Sequence, residues 1–138
     1  MEHFDCDVLV IGSGAAGLRA AIAARTMGCD VAVISKGSPG KGTCTILSGG
    51  VFAATAPGEP FETHLNQTLK AGRGINQLEL VDTLVEEGPL RLQELVKWGL
   101  KGRFHRGNLI SEGRPFIWGE EIINCLAQQA RRITWKSE

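Results

Sequence analysis

The chain has 138 residues, enough for one domain with a hydrophobic core. Acidic and basic side chains balance at 15 each, which removes the electrostatic case for nucleic acid or an anionic membrane as the main partner. No apolar run approaches the ~18 residues of a membrane span, and Met1-Glu2-His3-Phe4-Asp5 lacks the basic-then-apolar order of a signal peptide, so a cytoplasmic, reducing setting is expected.

Val8 to Ile11 is a short, uncharged, β-branched run, which fits a strand over residues 7–11 buried on both faces of a parallel sheet. It runs into Gly12-Ser13-Gly14-Ala15-Ala16-Gly17, a G-x-G-x-x-G, and then into an Ala-rich helix from Ala15 to about Met27 that Gly28 is placed to end. Taken alone, this pattern is equally a Gly-rich turn without a ligand. The order strand, Gly-rich turn, helix makes it a dinucleotide site. Gly12 permits the tight turn, Gly14 leaves room for a pyrophosphate against the backbone, and Gly17 lets the helix approach the strand. The N–H groups of the first turn and the helix dipole then face the phosphates.

Asp30 to Ser35 reads as a second strand and completes a βαβ unit. An acid near the end of that strand usually holds the ribose of NAD. Ser35-Lys36 stands there instead, and Asp30 lies at the strand's start, where a turn role suits it better. Residues 37–50 are too Gly-rich for a helix and lack the alternation of a strand. A ligand-wrapping loop is preferred over a linker, with Thr43, Cys44, Thr45 and Ser48 as small polar side chains and Gly49 and Gly50 admitting a flat ligand.

Helices are expected over 61–71 and 77–87, the second burying Leu78, Val81, Leu84 and Val85. Gly88-Pro89 should break the chain, with Pro89 opening a third helix to about Trp98 over Leu92, Leu95 and Val96. Residues 99–119 read as irregular. A last helix from Glu120 to about Arg131 carries Ile122, Ile123, Leu126 and Ala130 on one face. Cys6, Cys29, Cys44 and Cys125 contain no C-x-x-C pair, so spacing indicates neither a metal site nor a redox dithiol. His64 falls on a polar helix face. His105 and the arginines Arg103, Arg106 and Arg114 are weaker candidates for a substrate site.

In order and spacing, residues 5 to about 131 resemble the N-terminal part of the fumarate reductase/succinate dehydrogenase flavoprotein family, which includes L-aspartate oxidase. The likeness rests on Asp7 to Gly17, Ser35-Lys36, Ser48-Gly49-Gly50-Val51 with Ala53-Ala54, Glu79 to Pro89, Leu95 to Gly99 and Gly119 to Ile123. It implies a Rossmann-like α/β FAD-binding unit over 1–101, with a parallel sheet and a helical segment, followed by the start of a capping domain over 102–138. It also implies FAD rather than NAD. Gly12, Gly14, Ala15, Ala16 and Gly17 would hold the pyrophosphate, Ser35 and Lys36 the adenosine end, and Gly42, Thr43, Cys44, Ser48, Gly49 and Gly50 would lead to the isoalloxazine. Thr43 stands where members with covalent FAD have a linking His, so the cofactor is expected without a covalent bond. Ile117-Trp118-Gly119 departs from the family's substrate-binding stretch, which puts a C4-dicarboxylate substrate in doubt. The activity implied is hydride transfer between a substrate carbon and flavin N5. The alternative is a non-catalytic, truncated dinucleotide-binding module that self-associates or joins a partner chain.

Overall fold

The computed structural model describes residues 5–48, 52–55, 58–105, 108–110 and 119–134. In chain order the elements are β1 (Val8–Ile11), α1 (Ala15–Thr26), β2 (Val31–Ile34), α2 (Cys44–Leu47), β3 (Phe52–Ala53), α3 (Phe61–Gly72), α4 (Leu78–Lys97), β4 (Arg103–His105), β5 (Asn108–Ile110) and α5 (Gly119–Thr134). They form two compact units. One joins residues 1–49 to 118–138, and the other spans 50–117. This partition places α5 with the first unit, whereas a boundary at residue 101 would group it with β4 and β5.

The first unit is the βαβ. β1 and β2 pair in parallel, with Val8 opposite Val31 and Ile11 opposite Ile34. α1 begins directly after the Gly-rich turn and stops before Gly28. α1 packs on α5, and Leu18, Ala21 and Ile22 of α1 and Ile122, Ile123 and Leu126 of α5 are all buried. Each such aliphatic side chain removed from water contributes about 1.5–3 kcal/mol, and the alanines of α1 let the two helices approach. The expectation that β1 is buried on both faces does not hold. Val8 and Val10 are half-buried, whereas Leu9 and Ile11 are 52% and 80% exposed. Among the described residues of this unit, no layer covers that face.

Residues 37–48 also differ from the expected helix-free loop, because α2 makes one helical turn there. Thr43 caps it, accepting from the Ile46 N–H at 3.4 Å, and the turn packs on α5. A short cap and one tertiary neighbour are enough to stabilise a single turn that has no periodicity to read.

The second unit packs α3 on α4 beside a three-stranded antiparallel sheet in the order β3-β5-β4. Three expectations fail here. α4 runs unbroken through Gly88 and Pro89. Its buried stripe of Val81, Val85, Leu92 and Leu95 continues across the proline, so packing on both sides outweighs one missing N–H. Leu78, Leu84 and Val96, expected on the buried faces, are exposed. The stretch from residue 99 is not wholly irregular either, since β4 and β5 form a hairpin with Phe104 opposite Leu109 and His105 opposite Asn108. β5 then pairs with β3, which is remote in sequence. Leu109 is fully buried there. Arg106 and Arg114 lie outside the described residues, as do Gly49, Gly50, Ile117 and Trp118.

Candidate functional site

The carboxyl ends of β1 and β2 open into a cleft of about 480 Å³, lined by Ile11, Gly12, Ser13, Ile34, Ser35, Lys36, Lys41, Gly42 and Thr43. This is where ligands enter open α/β sheets. Its floor is the turn after β1. Gly12 adopts φ +107°, and its N–H donates to the Ile34 carbonyl at 2.8 Å, closing the gap between the strands. A Cβ on Gly17 would overlap the Gly12 carbonyl oxygen. Only glycine lets the first turn of α1 sit against the strand's end. Gly14 is the N-cap of α1 and uses no side chain for capping. A Cβ on Gly14 would stand 3.7 Å from Thr43 Cβ, an ordinary contact.

The first-turn N–H groups of α1 are not all open. Ala15 donates to Thr45 Oγ1 at 3.3 Å. The N–H groups of Ala16 and Gly17 have no hydrogen-bond partner among the described residues and sit at the positive end of the helix dipole.

The cleft's far wall is the loop after β2. Ser35 and Lys36 are exposed at its rim, and the Ser35 hydroxyl donates to the Gly37 carbonyl at 2.5 Å. Ser13 is 3% exposed, and its Oγ accepts the Gly40 N–H at 3.0 Å, tying the wall to the floor. Thr43 donates to the Gly40 carbonyl at 2.7 Å, so its side chain braces the loop as well as lining the cleft. Lys36 and Lys41 are the charged residues of the lining, which includes no acid. That balance suits an anionic ligand.

The expected site residues divide into groups. Gly12, Ser35, Lys36, Gly42 and Thr43 come together in the cleft. Gly14, Ala15, Ala16 and Gly17 form the helix end beside it. Cys44 and Ser48 lie in and after α2, outside the lining, with the Ser48 hydroxyl donating to the Thr45 carbonyl at 2.7 Å. Ser13 and Lys41 are lining residues that the sequence does not mark as cofactor-binding. The x positions of G-x-G-x-x-G are unrestricted by the motif, and nothing local marks which loop lysine turns inward. Asp30 pairs with Arg25 at 2.6 Å at the opposite end of the strands. His64, on the polar face of α3, is half-buried with its Nδ1 3.5 Å from Thr55 Oγ1. His105 is exposed in β4. No group of three or more metal-ligating side chains occurs among the described residues.

A Gly-rich turn under a helix N-terminus, a cationic cleft and no acid at the end of β2 define a dinucleotide-binding α/β domain that fits FAD. The sequence and structural comparisons agree. Residues 7–129 match the FAD binding domain family, and the chain belongs to it. The chain is 37% identical to one subunit of the fumarate reductase (CoM/CoB) of Methanothermobacter marburgensis over 119 residues, which is 83% of this chain and 22% of that protein. It is 40% identical to the L-aspartate oxidase of Streptomyces coelicolor, over 91% of this chain and 24% of that protein. The structure of the E. coli quinol fumarate reductase superposes with a TM-score of 0.81 at 27% identity, covering 96% of this chain and 25% of that one. The chain thus spans about a quarter of the length of these relatives. The resemblance to fumarate reductase/succinate dehydrogenase flavoproteins holds, and FAD is the family's cofactor. No helix among the described residues is long and apolar enough to cross a membrane.

Proposed function

We propose that this chain forms the FAD-binding portion of a flavin-dependent oxidoreductase, with the adenosine diphosphate half of the cofactor in the cleft above β1 and β2. The carrying observation is the cleft's one-signed charge, Lys36 and Lys41 without an acid, beside the Gly12 to Gly17 turn. Bound FAD supplies hydride transfer between a substrate carbon and flavin N5. The chain's own residues bind and orient. The Ala16 and Gly17 N–H groups receive phosphate oxygens, Lys36 and Lys41 neutralise them, and Ser35 meets the ribose end. Cys44, Ser48, Gly49 and Gly50 continue toward the ring. Thr43 has no nitrogen to link the ring, so the cofactor is held without a covalent bond.

Titrating FAD into the purified chain tests this reading. Saturable quenching of flavin fluorescence supports it, as does yellow colour left in the supernatant after acid precipitation. No binding at any FAD concentration refutes the cleft assignment, and colour that pellets with the protein refutes the non-covalent mode.

A second reading has one observation in its favour, the exposed Leu9 and Ile11 on the open face of β1. In it the chain is non-catalytic by itself and acts through a second copy or a partner that covers this face. Light scattering separates the two. A monomer that turns over succinate, fumarate or aspartate excludes the second reading, and an inactive oligomer favours it.

A further inference from the structure

A second hollow of about 600 Å³ lies in the same unit, between β2, the loop after it, α1 and α5. Its walls are mostly apolar. Val31 and Val33 line it from one face of β2, Leu18 from α1, and Ala127 and Ala130 from one face of α5. Val33 is 38% exposed, so apolar surface remains here for a ligand to cover. A volume of this order suits a small organic molecule.

The polar groups of the lining narrow the choice. The Ser13 hydroxyl accepts the Gly40 N–H, and the Ser35 hydroxyl donates to the Gly37 carbonyl, so both are engaged within the fold. Arg131 is the one charged residue of the lining, which includes no acid. It already interacts within the chain, but a guanidinium has five N–H donors and can take a carboxylate as well. Apolar walls with one cation fit an amphiphilic monocarboxylate, its hydrocarbon on the valines and its carboxylate on Arg131. A C4-dicarboxylate has too little hydrocarbon and would set its second charge against apolar walls.

The hollow and the cleft share a partition. Ser13, Ile34 and Ser35 line both. The loop after β2 gives Gly37 and Pro39 to the hollow, and Lys41, Gly42 and Thr43 to the cleft. Gly40 stands between the two sets, bonded to Ser13 and buried so close to α5 that a Cβ on it would overlap Ile123. A molecule resting on Pro39 therefore supports the same loop that carries Lys41.

We propose that this hollow binds a small amphiphilic carboxylate, and that its occupancy tightens cofactor binding in the cleft through the shared loop. The linkage rests on the FAD reading above, whereas the site itself does not. Because coupling is reciprocal, FAD tightens carboxylate binding by the same factor.

Octanoate is the probe, titrated into the purified chain by calorimetry. Binding saturates at one per chain. Arg131→Gln weakens it about fivefold, while uncharged 1-octanol binds the parent and Arg131→Gln alike. Ala130→Phe fills the hollow and abolishes binding, with Ala127→Leu as the second variant if the first does not fold. Leu9→Ser, outside the lining, leaves binding unchanged. Saturating octanoate lowers the Kd for FAD several-fold. The proposal is overturned by an absence of saturable binding, by binding that neither α5 alanine substitution changes, or by succinate binding as well as octanoate. Self-association of the chain that shuts octanoate out overturns it too, as does a Kd for FAD that octanoate leaves unmoved. Octanoate binding with these variant effects in a chain that takes up no FAD supports the site and refutes the cleft reading.

Discussion

The buried Ser13 hydroxyl accepts the Gly40 N–H at 3.0 Å, joining the turn after β1 to the loop after β2. The two residues are 27 positions apart, and this bond sets the distance between the cleft's floor and its far wall. Ser13→Ala leaves the Gly40 N–H without its acceptor in a buried position, at a cost of about 1–3 kcal/mol. Urea denaturation should show the loss as a lower midpoint with an unchanged slope. FAD affinity should fall with it, because the loop that carries Lys41 and Thr43 loses its anchor. Unchanged stability together with unchanged affinity would contradict this role.

Gly14 and Gly17 should behave differently. In Gly17→Ala the new methyl overlaps the Gly12 carbonyl, so α1 must shift, at about 1–3 kcal/mol. Gly14→Ala meets only ordinary contacts with Thr43 and Thr45, so its stability should change by less than about 1 kcal/mol. It still fills space that the pyrophosphate would take, and FAD binding should weaken. Thermal melts and flavin fluorescence on the two variants check the split. A Gly14→Ala chain that binds FAD like the parent places the pyrophosphate elsewhere.

Lys36 and Lys41 are expected to act on affinity rather than on folding. Both are exposed at the cleft, so each contributes up to about 1 kcal/mol in salt-screened water, near fivefold in Kd. Replacing both with Gln should raise the Kd for FAD and flatten its dependence on salt, while the melting midpoint stays put. A double variant with the parent's salt dependence would show that the lysines do not face the phosphates.

Pro89 lies inside α4, where it removes one helical hydrogen bond. Pro89→Ala restores the donor on a helix whose buried stripe already continues past it. A stability gain of about 1–3 kcal/mol is expected from calorimetry. A loss instead would mean that the ring's own packing outweighs the missing bond.

What the sequence determined by itself is local. β1, the Gly-rich turn, α1 and β2 could be read because each depends on adjacent residues: a β-branched run, a glycine pattern and a helix-ending Gly28. The same holds for the long helices, whose apolar stripes recur at helical spacing. What only the tertiary structure decided depends on partners far along the chain. Gly88-Pro89 is a strong local break signal, yet α4 passes through it because Val85 and Leu92 are both buried. β4 and β5 are too short to read alone and gain their order from pairing with each other and with β3. The bond from Ser13 to Gly40 and the place of Lys41 in the cleft both follow from bringing the ends of two parallel strands together. No window of sequence spans that distance, and free energy gained by non-local packing leaves no mark on local pattern.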